Sequence, residues 1–340
     1  SPGGTTTCAV DGGAPTACSS PDALAALPIG SHTFTVVNAS SAGSAQASVG
    51  WDVIAGSNTV DARPKLKWAP PALSSPTVVN AVPGGITNLA AGRDYVVRIG
   101  NVSAVGGVWI QGGRNVVVIG GHITIPWAGT SATINARRAL HLKDQTGTVH
   151  VEGLLIDNAG GDLSEGIQIA APQAIVQIEN VRVIGLHARD EVGFTDNHPD
   201  VIQPWGGVRQ LRVDGLTGTT DYQGIYMGPA ASLPGRVELR RVWIAGTTTS
   251  RYLFRTTPPV PVSLNGVWLT PAAGKVLGRV AWPGLDDATL AYRPTVFADG
   301  SLAWNAVTGI TGFMRQGTPP GGDPVPAGTA GVDYVTPGYA

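Results

Sequence analysis

Hydrophobic and polar positions alternate with a period of two along most of the chain, and the 3.6-residue helical period is nearly absent. Side chains two residues apart share one face of a strand, so the pattern predicts strands throughout. In HTFTVV (32–37) Phe34 and Val36 face one way and Thr33 and Thr35 the other, and ASVGWDVIA (47–55) continues in the same way. That is the pattern of half-buried antiparallel strands.

From about residue 80 the alternation becomes a repeat. One segment recurs as VVVIGGHI (116–123), VHVEGLLI (149–156), VQIENVRV (176–183), LRVDGLTG (211–218), VELRRVWI (237–244) and VSLNGVWL (262–269), aligned on Gly121, Gly153, Asn180, Gly215, Arg241 and Gly266. A second recurs between them as GVWIQ, ALHLK, GIQIA, VIQPW, GIYMG and YLFRT, centred on Trp109, His141, Gln168, Gln203, Tyr226 and Phe254. Both ladders keep nearly the same irregular spacing. A repeat of roughly 25–35 residues with two strands per unit predicts a solenoid. The fold class is all-β, a right-handed parallel β-helix behind a small N-terminal module.

In that fold Val108/Ile110, Leu140/Leu142, Ile167/Ile169 and Ile225/Met227 point inward as aliphatic columns. The Gly or Asn of the first ladder sits where a turn needs positive φ or a side chain that bonds its own backbone. The competing architecture, a pair of antiparallel sandwiches, needs two-residue Asn-Gly or Asp-Gly hairpins, which are scarce after residue 60.

The expected organisation is a partial module at 1–57, a Pro-rich linker at 58–79, the β-helix at 80–315 and an extended Pro/Gly-rich tail at 316–340. The tail is expected to run along the stack or to cover its open end. Cys8 and Cys18 flank the turn signal Asp11–Gly12–Gly13, so two strands folded back there bring the thiols together as a disulfide; two free thiols are the alternative. A disulfide implies an oxidising, extracellular setting.

CAVDGGAPTACSSPDALAALPIGSHTFTV resembles the later part of bacterial immunoglobulin-like modules, which serve as spacers or adhesive elements. The first strands of such a module are not in this sequence, so the resemblance implies an edge open to self-association by strand addition. The ladders, with GRNVVVIGGHI (113–123), resemble the right-handed β-helix superfamily of pectate lyases, polygalacturonases, pectin methylesterases and phage tailspikes. That resemblance implies a fold and a polysaccharide partner. The Asn-Thr-Asp, Gly-His-Gly and Arg-Ile-Lys strings of polygalacturonases are absent, so no family active site transfers residue by residue.

Composition narrows the partners. Charged residues make up 13% of the 340, with 22 Lys and Arg against 23 Asp and Glu, and Gly at 47 and Pro at 26 are abundant. No basic face for nucleic acid is evident. No run of about 18 apolar residues can span a membrane.

The candidate chemistry lies on the outward positions. Trp109, His141, Gln168, Gln203, Tyr226 and Phe254 form an exposed row in which rings stack on sugars and amides bond hydroxyls. Arg138, Glu165, Asp200, Gln223 and Arg251 precede them at the corner. The longest repeat holds GFTDNHPDVIQPW (193–205), with Asp196, His198, Asp200 and Trp205.

Carboxylates of Glu165 and Asp200 on adjacent coils are about 5 Å apart, near a retaining glycosidase pair. His198 or His187 is the alternative base, for β-elimination, with Arg138 or Arg189 neutralising a uronate. The competing reading is structural: Arg138 and Glu165 as an ion pair, Asp200 as a turn cap, His198–Pro199 as a bend. No cofactor is expected beyond a calcium ion that Asp190, Asp196 and Asp200 could gather.

The expected function is that of a secreted protein that binds and cleaves an extracellular polysaccharide, as lyase or glycoside hydrolase. The alternative is a non-catalytic surface protein: an adhesin, a phage tail component or a self-assembling subunit.

Overall fold

A computed structural model describes residues 4–19, 24, 27, 30–53, 63–157, 165–189, 191–192, 196–228, 234–247 and 250–340. The chain divides into two compact units, Ser1–Arg63 and Pro64–Ala340.

The first unit is one antiparallel sheet in the order β2–β1–β3–β4, built from β1 (Thr5–Val10), β2 (Thr16–Ala17), β3 (Gly30–Ser40) and β4 (Gly43–Val53). Asp11 and Gly12 both hold positive φ, 51° and 70°, and Gly13 N donates to Val10 O at 2.9 Å. Two successive positive φ values give a turn whose twist matches antiparallel strands, which is why Asp-Gly occupies it. The return strand brings Cys18 to Cys8, and the two form a disulfide with Cα atoms 5.7 Å apart.

Asp11 also accepts from Thr33 N at 2.7 Å, and its other oxygen lies 2.7 Å from His32 Nδ1. Among the described side chains of this unit only Cys8 and His32 are buried. The expectation of a half-buried strand at 47–55 is corrected for its described side chains: Ala47, Ser48, Val49 and Gly50 are exposed. Among the described residues strand β4 pairs with β3 alone, so it is an edge of that sheet.

The second unit is a long, mostly parallel sheet of 21 strands. Each repeat pairs with the next in parallel register. The first ladder runs Val116↔Val149↔Val176↔Leu211↔Val237↔Val262↔Ile310. The second runs Trp109↔His141↔Gln168↔Gln203, and Ile202↔Ile225 sets Tyr226 on the following rung. The inward columns are completely or almost completely buried: Val108, Ile110, Leu140, Leu142, Ile167, Ile169, Ile202, Ile225 and Met227. One repeat cannot bury its inner face alone, whereas stacking rungs about 4.8 Å apart seals it. The arrangement is compatible with the expected coil.

Two registers differ from the sequence alignment by one residue. Ile119 pairs with Glu152, which places Gly120 rather than Gly121 beside Gly153. Both glycines have positive φ, so either satisfies the turn. Phe254 pairs with Ile225 and is buried, while Arg255 takes the outward place beside Tyr226. A slip of one residue exchanges the two faces of a strand. The turn positions Gly120, Gly153, Asn180, Gly215, Arg241 and Gly266 all hold positive φ. At Gly153 there is a second reason: a Cβ would sit 2.1 Å from the Tyr334 ring.

Tyr334 belongs to the C-terminal tail, which runs along the stack. Gly331 N donates to Gly153 O, and Asp323 takes an ion pair from Arg182 and a hydrogen bond from Thr217. The tail and residues 66–68 cover three carboxyls that stack in register, Glu152, Glu179 and Asp214, all fully buried. Tyr334 and Tyr339 hydroxyls donate to Glu152 at 2.7 and 2.6 Å. Lys67 N and Arg241 Nε donate to Asp214 at 2.8 and 2.7 Å.

Candidate functional site

The corner of the second ladder stacks Arg138, Glu165, Asp200 and Gln223 in register on four successive rungs. Arg138 Nε donates to Glu165 Oε2 at 2.6 Å, and Arg138 also reaches Asn135. Asp200 is fully buried, and neither of its carboxyl oxygens has a hydrogen-bond partner among the described residues. Burial raises the Glu165 carboxyl to about 7 against the pull of Arg138. Burial, and then the neighbouring Glu165, hold Asp200 well above the usual carboxylate range. Burial disfavours the charged form of both carboxyls, and only Glu165 has a cation to oppose it.

Glu165 opens onto a cavity of about 430 Å³, lined also by Ile134, Arg138, His198, Gln203, Trp205, Tyr222, Gln223 and Tyr226. Two segments outside the regular strands meet beside it. Ile134 N donates to Asp196 Oδ1 at 2.8 Å. The Trp127 ring lies 4.5 Å from the Arg189 guanidinium and 5.2 Å from that of Arg137. Asn197 Nδ2 closes the second segment on Arg189 O at 2.8 Å. His198 is half-buried; burial lowers its pKa against the opposing charge of Asp196, with Arg138 adding to the shift, so the neutral imidazole is favoured. Pro199 O is tied to Thr220 Oγ1 at 2.8 Å, which sets where the next strand begins.

Seven residues singled out from sequence therefore line one cavity: Arg138, Glu165, His198, Gln203, Trp205, Gln223 and Tyr226. Asp200 does not line it; its carboxyl is fully buried on the rung next to Glu165. His141 and Gln168 are buried, not exposed as the alternation predicts. On rungs about 4.8 Å apart, large outward side chains cover one another. The Trp109 and His141 rings stack 4.5 Å apart, and burial, with Arg138 and Lys143 nearby, lowers His141 to about 3. With its amide nitrogen turned inward, Gln168 donates to Glu165 Oε2 at 3.1 Å and Gln203 Oε1 at 3.2 Å. Trp109, His141 and Gln168 thus lie beside the cavity on earlier rungs.

Ile134 and Tyr222 were not anticipated. Tyr222 carried a usable signal, standing directly before Gln223 in DYQG; Ile134 lies in an irregular segment with no period to read. Of the residues proposed for calcium, Asp196 is engaged with Ile134 N, Asp200 is buried, and Asp190 lies outside the described residues. Among the described residues no group of three His, Cys, Asp or Glu side chains is placed to hold a metal ion.

Comparison with protein-family models, with curated proteins and with solved structures found no match for this chain.

Proposed function

We propose that the parallel stack closes as a right-handed β-helix and that the cavity on its outer face cleaves an extracellular polysaccharide. The observation that carries this reading is Glu165, a carboxyl in the cavity wall that burial raises to about 7 against the pull of Arg138. An acid that retains its proton near neutrality can protonate the departing glycosidic oxygen as the bond breaks. His198, kept neutral, is the base that takes a proton on the other side of the reaction. The rings of Trp205, Tyr222 and Tyr226 offer faces for pyranoses, and the amides of Gln203 and Gln223 offer paired donors and acceptors for hydroxyls.

The disulfide favours a non-reducing compartment, which fits secretion. Among the described residues no helix is long and apolar enough to cross a membrane. The N-terminal sheet, with its disulfide hairpin, is read as part of an immunoglobulin-like module.

A depolymerisation screen over acidic and neutral glycans tests the proposal. New reducing ends with an ultraviolet-absorbing unsaturated product mean β-elimination; reducing ends alone mean hydrolysis. No turnover on any glycan removes the enzymatic reading.

A second reading has its own observation. Strand β4 is an eleven-residue edge whose described side chains, residues 43–50, are all exposed. Such an edge accepts a strand from a second copy, as in a self-assembling surface protein. Light scattering that shows a strict monomer at high concentration removes it.

A further inference from the structure

The outward ladder continues past the cavity as Tyr226↔Arg255↔Trp282. The Arg255 guanidinium lies 5.1 Å from the Tyr226 ring and 5.1 Å from the Tyr252 ring, and the Tyr252 ring lies 6.0 Å from Trp282. On the same rung, exposed Arg251 lies over the ring of Tyr222, 5.4 Å away. Tyr222 and Tyr226 both line the cavity, so each cation stands against one of its rings.

Neither arginine has a carboxylate partner among the described residues. The acids around the cavity are otherwise engaged: Glu165 with Arg138, and Asp221 with His187 and Ala188 N. Aromatic contacts cover the faces of a guanidinium and leave its edge of N–H donors open. Arg255 Nε is buried with no hydrogen-bond partner among the described residues. A buried donor without a partner is costly, and a guanidinium edge matches the geometry of a planar or tetrahedral oxyanion.

We propose that Arg255, assisted by Arg251, forms an anion subsite one rung beyond the cavity, which takes a carboxylate or sulfate ester carried on the polymer. This rests on the reading of the cavity as a polysaccharide site, and adds to it that the chain carries charge. Rungs about 4.8 Å apart approach the length of one sugar in a polymer. A sugar stacked on Tyr226 therefore places its neighbour over Arg255, with the Trp282 ring beyond.

The test is affinity electrophoresis of the intact chain in gels containing polygalacturonate, a sulfated galactan or neutral galactan. The wild type is expected to be retarded by an acidic polymer, less so as salt rises. Arg255→Gln weakens that retardation roughly 10-fold and leaves any retardation by neutral galactan unchanged. The two acidic gels distinguish a carboxylate from a sulfate ester. Arg251→Gln, at an exposed position, is the second variant and gives a smaller loss in the same gels.

No retardation of the wild type by either acidic polymer overturns the subsite. So does Arg255→Gln binding them as the wild type does, or losing neutral and acidic binding equally. Turnover is scored separately on the same polymers. Charge-dependent binding without cleavage overturns the catalytic reading and leaves the subsite standing. Cleavage indifferent to Arg255→Gln on acidic polymers does the reverse.

Discussion

Glu165 and Asp200 sit opposite each other on adjacent rungs of one parallel ladder, both buried, and only Glu165 has a cation to bond. Exposed to water, each would be an ordinary carboxylate. Stacked in this way both are raised, Glu165 by burial against the pull of Arg138 and Asp200 by burial and then by Glu165.

The first prediction concerns Glu165 itself. Glu165→Gln keeps the shape and removes the proton donor. Cleavage is expected to fall by roughly 10²–10⁴-fold, with only a small fall in melting temperature from the weakened bond to Arg138. Initial rates and a thermal melt of the same preparation check both halves.

Asp200→Asn separates a contact role from an electrostatic one. Burial, and then Glu165, hold Asp200 well above the usual carboxylate range, while burial alone raises Glu165 against the pull of Arg138. If Glu165 acts as the acid, activity disappears as pH rises through its pKa, near 7 in the wild type. Asp200→Asn replaces one neutral group by another, so that limb of the pH–rate profile is expected to stay where it is. A limb that moves to lower pH means that Asp200 carries charge and sets the acid.

The stacked carboxyls under the tail predict a pH dependence of stability. Burial raises Glu179 from 4.5 to about 8, with Asp214 and Glu152 adding to the shift, while the Trp68 N–H and Arg241 oppose it. A raised folded pKa means that the native state binds the proton more tightly than the unfolded chain. Its contribution is full below the unfolded value and is lost as pH rises through the folded one. Stability is therefore expected to fall between about pH 4.5 and 8, and Glu179→Gln to flatten that fall. Melting temperatures across this range check it. Asp94, held low chiefly by Arg114, acts in the opposite sense only in stronger acid.

Gly153→Ala tests the seat of the tail. The new methyl collides with the Tyr334 ring, and φ is +68°. A loss of about 1–3 kcal/mol is expected, with faster proteolysis within residues 323–340. Removing the ring as well, by Tyr334→Ala, restores part of the loss if the collision is its cause.

Reduction of Cys8–Cys18 frees a ten-residue separation. The N-terminal sheet buries little, so the cross-link is expected to supply a large share of its stability, roughly 2–3 kcal/mol. Calorimetry with and without reductant should move the transition of that unit.

The chain order alone was enough to read the strands, the repeat and the corner series Arg138–Glu165–Asp200–Gln223. Alternation is a local property, because successive side chains on any strand must point to opposite faces. The Asp11–Gly12 turn was legible for the same reason: two residues tolerant of positive φ stand between two strand patterns. Where two neighbouring residues satisfy the local rule equally, as Gly120 and Gly121 do, sequence cannot choose the register. The same ambiguity let Phe254 be placed outside and hid Arg255.

What only the tertiary structure decided is what covers what. His141 and Gln168 are outward by alternation and yet buried, because neighbouring rungs stack their side chains face to face. Asp200 withdraws beneath Glu165, and the segments holding Ile134 and Asp196 meet across 62 residues of chain. Glu152 is capped by Tyr334 and Tyr339, more than 180 positions away. Local geometry sets which way a side chain points. Its solvent, its charge and its partners come from segments that chain order does not bring near, and those set the chemistry of the carboxyls.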